Sequence, residues 1–225
     1  MLPIKLCGSK GNISKHVKKE PHMKLLTTKE AIEQRRSIRK FKPDEITDEI
    51  IFELLDSARL APSGCNSQPW RFKIVREKKI KEQLYAAAHN QSFIKEAPVV
   101  IVCCLDVKGY LEGTVSGVQD LEQGDIIDKR IYELLINNAN ESKRIRIDEI
   151  IPRISFNVAI AIEHIVLRAL DYGLGTCWVR LLDSQRVKEL FSWNDNIGVI
   201  ALLPIGYPNE NPKPRKRMNI EDLML

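Results

Sequence analysis

The sequence predicts a single domain in which helices and strands are interleaved. Three observations carry that expectation. Apolar residues recur at helical spacing behind capping residues, shorter runs alternate or are apolar throughout like strands, and one segment near residue 160 is apolar on nearly every face. With 225 residues, 44% of them hydrophobic and 29% charged, the chain can bury a core and is too apolar for disorder. The longest uncharged apolar stretches, around 98–105 and 154–162, fall short of the ~18–20 residues that cross a bilayer, so no membrane segment is expected.

The elements follow in order. Thr27 and Glu30 form a T-x-x-E capping box that opens a short helix ending near Arg35 and Arg36. Thr47, with Asp48 and Glu49 behind it, starts a second helix whose Ile50, Ile51, Leu54, Leu55 and Ala58 share one face, and Pro62 ends it. Residues 71–76 alternate as a strand, 78–88 read as a helix, and 98–105 as a buried strand. The stretch 106–150 carries Gly109, Gly113, Gly117 and Gly124 among many acids, with one helical segment at 126–136, and reads as a lid-like excursion from the core. Residues 152–172 form the apolar central helix, and Gly173 and Gly175 stop it. A strand at 176–179, a helix opened by Asp183 and a strand at 198–205 follow, and from Gly206 the Pro-rich basic tail reads as too polar to pack against its own domain.

A pI of 8.9 invites a nucleic-acid reading. The charge is confined, however. Residues 1–24 hold six lysines against Glu20, which accounts for the whole net charge of +5 and leaves the rest of the chain balanced. Residues 1–22 lack apolar periodicity and an apolar secretory core, so they are expected to be a disordered basic leader, with a single domain over 23–225. A membrane or RNA tether is the sharper alternative for that leader. Five cysteines without a C-x-x-C pair or ligand-spaced histidines predict reduced thiols, a cytoplasmic location and no metal. His89 and His164 lack the partners of a hydrolytic triad.

Four segments could carry chemistry. Arg35, Arg36, Ser37 and Arg39 place three guanidiniums and a hydroxyl within five residues, a set suited to bidentate capture of a phosphate, the alternative being a solvated basic turn. Pro62, Ser63, Gly64, Asn66 and Gln68 sit in a connector between helix and strand that is far more polar than a connector needs to be. The G-L-G-T-C-W run at 173–178 is neither a Rossmann nor a P-loop fingerprint. Lys213, Arg215, Lys216 and Arg217 form a second basic cluster, which could close on the same anion as the first or simply be solvated.

R-R-S-I-R, then P-S-G-x-N-S-Q-P-W, G-L-G-T-C-W, I-G-Y-P and a terminal R-x-R, in that order and spacing, resemble the nitroreductase family of FMN-dependent oxidoreductases over roughly residues 24–225, with the poorest fit at 106–150. The resemblance implies an α+β fold with a central mixed β-sheet flanked by helices. It also implies an intertwined homodimer with a swapped C-terminal arm and FMN at the interface. On that basis Arg35, Arg36, Ser37 and Arg39 hold the FMN phosphate and ribityl chain, Arg215 and Arg217 close on the same phosphate, and Pro62, Ser63, Gly64, Asn66 and Gln68 of a second copy line the isoalloxazine. Trp178, Val179, Arg180 and Leu181 bring backbone N–H groups to the flavin edge; Arg180 stands where the family favours a small residue, so either the chain diverts there or a guanidinium approaches the ring.

The implied reaction is ping-pong electron transfer from NADH or NADPH to a nitroaromatic, quinone or enone, with no catalytic side chain assigned, because the flavin carries the chemistry. A specialised flavin reaction such as reductive dehalogenation and a non-catalytic flavin carrier are the alternatives. A nucleic-acid or membrane partner is not expected.

Overall fold

The computed structural model describes residues 23–225. The expected basic leader, 1–22, lies outside the described residues. The elements are α1 (Thr28–Gln34), α2 (Asp48–Arg59), β1 (Trp70–Val75), α3 (Lys78–Ala87), α4 (Phe93–Glu96), β2 (Val99–Asp106), α5 (Val107–Gln123), α6 (Lys129–Ser142), α7 (Ile147–Ala169), β3 (Gly175–Thr176), α8 (Ser184–Leu190) and β4 (Ile197–Gly206), an α+β arrangement. The strands lie in the order β1-β2-β4-β3. All of them pair antiparallel, and the parallel component of the expected mixed sheet is confined to one bridge, Ser37 to Thr176.

Capping explains where several helices begin. The Thr27 side chain accepts from Glu30 N–H while Glu30 reaches back to Thr27 N–H, completing the box. Thr47, Asp106, Asp128 and Asp183 cap α2, α5, α6 and α8 in the same way, each accepting a backbone N–H from the first turn.

β2 is the centre of the sheet and is buried on both faces. Its side chains alternate between two apolar layers. Val99, Ile101, Cys103 and Leu105 face the cluster built by α2 and α7, with Leu54, Val158, Ile162 and Ile165. Val100, Val102 and Cys104 face the layer built by α3, α4 and α8, with Leu84, Ile94 and Val187. α7 with the turn that follows it, Ile147–Tyr172, is long and apolar enough to cross a membrane. Here it is a core helix, with Val158, Ala161, Ile162 and Ile165 shut off from solvent.

The 106–150 segment departs from expectation. It is two helices in sequence, α5 and α6, where one shorter helix was expected. Gly109, Gly113 and Gly117, part of the texture that marks the excursion, lie inside α5, where the absence of a Cβ lets neighbouring groups approach: a Cβ at Gly113 would stand 2.5 Å from the Ser67 carbonyl oxygen, and one at Gly117 would overlap that of Cys65. The β3 strand is also shorter than expected, and Val179 joins the sheet only through a bridge to Leu202.

The tail does not stand apart from its own domain. Asn209 N–H donates to the Lys40 carbonyl, Lys42 N–H to that of Tyr207, and the Glu210 carboxylate accepts from the N–H groups of Arg39 and Lys40. Main-chain pairing over residues 207–210, with Tyr207 packed against the core, secures its start.

Candidate functional site

Three of the four segments singled out from the sequence converge, and backbone pairing is the reason. Ile38 N–H donates to the Thr176 carbonyl at 2.9 Å, which joins the turn after α1 to β3. Phe41 bridges to Pro208, which lays residues 37–42 along the chain leaving β4. Close approach at this seam requires Gly175, because a Cβ there would collide with the Ile38 side chain.

The product is a cleft of about 610 Å³ lined by Glu33, Arg35, Arg36, Ser37 and Arg39 on one side and by Lys213, Arg215 and Arg217 on the other, with Ile32, Pro212 and Pro214 completing the walls. Six cations thus face one carboxylate. None of the ion pairs formed among the described residues uses any of the six. The Arg36 guanidinium donates to the carbonyls of Glu33 and Arg35 at 2.7 and 2.8 Å, satisfying the end of α1 while keeping its charge at the cleft. The Arg39 guanidinium lies 5.9 Å from the centre of the Phe93 ring. Such a concentration of uncompensated positive charge, with a hydroxyl among it, is a site for an anion of more than one negative charge.

Beside the cleft, Cys177 is buried, and desolvation raises its thiol pKa; Arg39 opposes that shift and Glu210 adds to it. Burial thus favours the neutral thiol over the thiolate. Trp178 is half-buried and Val179 buried, whereas Arg180 and Leu181 are exposed. The Arg180 side chain points into solvent in this chain. The chain makes a tight turn in which Leu182 N–H donates to the Arg180 carbonyl at 3.0 Å.

The fourth segment does not line this cleft within one chain. Residues 62–68 sit where α7, α5 and β1 meet, and Pro62, Gly64, Asn66 and Gln68 are exposed. Ser63 spends its hydroxyl on Gln68 N–H at 3.0 Å. Ser67 is buried, and its Oγ has no hydrogen-bond partner among the described residues. Sequence reasoning missed Asn157, whose Oδ1 accepts Gly64 N–H at 3.1 Å; a lone amide in the most apolar helix was the available signal. It also missed Glu33, which lines the cleft, and Glu210, whose carboxylate accepts the N–H groups of Arg39 and Lys40.

The nitroreductase family model matches residues 32–207. The chain belongs to the nitroreductase family. An NADH dehydrogenase from Thermus thermophilus is 30% identical over 210 residues, covering 92% of this chain and 98% of that protein. An iodotyrosine deiodinase from Thermotoga neapolitana is 26% identical over 188 residues, covering 83% and 90% of the two chains. Among solved structures, an Exiguobacterium sibiricum protein in complex with FMN superposes with a TM-score of 0.73 at 21% identity, covering 89% of this chain and 97% of that one. The NADPH:FMN oxidoreductase of Vibrio harveyi complexed with NAD+ gives 0.66 at 22% identity over 88% and 76%. At such identities the superpositions establish a nitroreductase fold.

Proposed function

We propose that this protein is an FMN-dependent oxidoreductase that passes electrons from NADH or NADPH to a small organic acceptor such as a nitroaromatic, quinone or enone, by a ping-pong sequence. The observation that carries the proposal is the cleft in which Arg35, Arg36 and Arg39 meet Arg215 and Arg217 from the far end of the chain. Its charge and its Ser37 hydroxyl suit the phosphate of FMN, and a relative of the same fold was solved with FMN bound. Bound FMN supplies the redox chemistry, taking up hydride from the nicotinamide and releasing electrons to the acceptor.

The chain's own groups supply binding and orientation. Arg35, Arg36, Ser37, Arg39, Arg215 and Arg217 hold the phosphate end. Trp178, Val179, Arg180 and Leu181 contribute backbone beside the ring, and Pro62, Ser63, Gly64, Asn66 and Gln68 come from a second copy. No side chain is assigned as catalytic, because the flavin carries the chemistry.

The second copy is part of the proposal, as an intertwined homodimer with exchanged C-terminal arms. Phe52 on α2, Leu60 just after it and Phe156 on α7 are each more than half exposed, as are Met218, Ile220, Leu223 and Met224 in the tail. Apolar surface of this extent on two packed helices and a terminal arm calls for a partner surface. Reduced thiols at Cys65, Cys103, Cys104 and Cys177, none in a disulfide, suit a cytoplasmic enzyme.

Steady-state oxidation of NADH and NADPH by the FMN-loaded protein with menadione tests the activity. Turnover with hyperbolic kinetics and parallel double-reciprocal lines is expected. Flavin binding without turnover on menadione would instead favour a carrier. Turnover confined to halogenated phenols would favour the reductive dehalogenation suggested by the deiodinase relative.

A further inference from the structure

We propose that Asn157 is the positioning residue of the 63–68 loop, acting from α7 while Gly113 and Gly117 of α5 hold the loop from the other side. The inference rests on the reading that this loop lines the flavin.

The loop's backbone cannot hold its shape alone. Cys65, Asn66 and Gln68 have φ of 49°, 50° and 46°, the left-handed region that side chains with a Cβ disfavour. Its internal bonds are those of a tight turn: Asn66 N–H to the Ser63 carbonyl, Ser67 N–H to that of Gly64, and Gln68 N–H to the Ser63 hydroxyl. Three such residues within four positions persist only where the surroundings over-determine them.

The surroundings do so from three directions. Asn157, 1% exposed, accepts Gly64 N–H at 3.1 Å through Oδ1 and donates from Nδ2 to the Ile154 carbonyl at 3.0 Å. Both ends of the amide are used, so its orientation is fixed, and a buried amide in an otherwise apolar helix is retained for a bond no aliphatic side chain can make. On α5, Gly113 and Gly117 are four apart and so share a face, and it is this face that abuts the carbonyls of Ser67 and Cys65. At the loop's exit, Arg71 donates to the Gln68 carbonyl at 3.1 Å and pairs with Asp106, the N-cap of α5, at 3.0 Å. The loop is thus clamped from behind and turns Pro62, Asn66 and Gln68 outward. Gly113 and Gly117 have the same purpose: they bring α5 against the loop.

The test measures FMN and riboflavin affinity by fluorescence titration, with the visible spectrum of bound flavin and thermal unfolding, for wild type, Asn157→Leu, Asn157→Asp and Gly117→Ala. Asn157→Leu and Gly117→Ala are each expected to weaken both ligands about ten-fold, equivalent to about 1.4 kcal/mol, and to shift the flavin absorption bands, while unfolding stays cooperative. Asn157→Asp keeps an oxygen acceptor for Gly64 N–H but loses the donor to the Ile154 carbonyl, and recovers part of the affinity. Wild type that binds no FMN would overturn the site reading itself. Wild type that binds FMN with leucine and alanine variants equal to it would overturn only the positioning role. So would an aspartate variant no better than leucine, or loss of cooperative unfolding in both disruptive variants, which would mark these residues as core supports.

Discussion

Removing one guanidinium from each wall of the basic cleft, as Arg39→Ala with Arg217→Ala, tests the phosphate assignment. A hydrogen bond to a charged group contributes ~1.5–3 kcal/mol when sheltered. Both side chains are exposed, and water screens them, so about 1 kcal/mol each is the appropriate scale. Together they amount to about 2 kcal/mol, or roughly a thirty-fold rise in the FMN dissociation constant. Four of the six cations remain, so binding weakens without disappearing. The assay is a fluorescence titration with FMN and, in parallel, riboflavin, which has the same ring and no phosphate. FMN affinity should fall while riboflavin affinity stays within about two-fold, and raising salt should narrow the FMN difference between wild type and variant, because the Debye length shrinks from about 10 Å at 0.1 M to about 3 Å at 1 M. Unchanged FMN affinity would refute the reasoning. An equal loss for both ligands would refute it as well, because it would place the arginines at the ring or in the fold.

Two further predictions concern the scaffold. Asp171 accepts Leu26 N–H at 2.8 Å and Arg168 at 2.6 Å, tying the chain ahead of α1 to the end of α7. Asp171→Ala leaves Arg168 half-buried with only Glu53 and Tyr172, and should cost ~2 kcal/mol, lowering the melting temperature by about 4–8 °C; a shift below about 1 °C would contradict the tie. Lys81 is buried and donates to the Ala97 carbonyl at 2.6 Å, and desolvation lowers its pKa from the ordinary 10.5. Below the folded pKa the native and unfolded states carry the same proton; between that value and 10.5 the unfolded state binds more, so stability rises with pH in this window. Lys81→Met should abolish that rise in the urea midpoint as the pH approaches 10.5 from below, and an identical pH profile in the variant would contradict the assignment.

Much of the scaffold is local chemistry and could be read directly. The capping residues Thr27, Thr47 and Asp183 name the starts of α1, α2 and α8 because an N-cap is settled within four residues. The strands β1, β2 and β4 follow from alternation or continuous apolarity, which depends on burial alone. What could not be read depends on partners distant in sequence. Gly113 and Gly117 look like part of an excursion's texture until the Ser67 and Cys65 carbonyls are placed against them. The polar tail looks detached because its attachment runs through backbone groups at Lys40 and Lys42, which no side-chain pattern reports. The same distinction applies to the site. Arg35, Arg36, Ser37, Arg39, Arg215 and Arg217 were legible as two cationic clusters, and the structure brings them into one cleft. Asn157 was passed over because its apolar neighbours dominate the segment. Of the readings assigned by resemblance, the role of the 62–68 loop depends on a second copy and belongs to the proposal above.

The most direct measurement is the flavin content of the purified protein after saturation with FMN and exhaustive removal of free ligand, read from the visible absorption spectrum against protein concentration. The account predicts a yellow protein that retains one FMN per chain and releases it on denaturation. A colourless protein that retains none, while folded and with the cleft arginines intact, would contradict it.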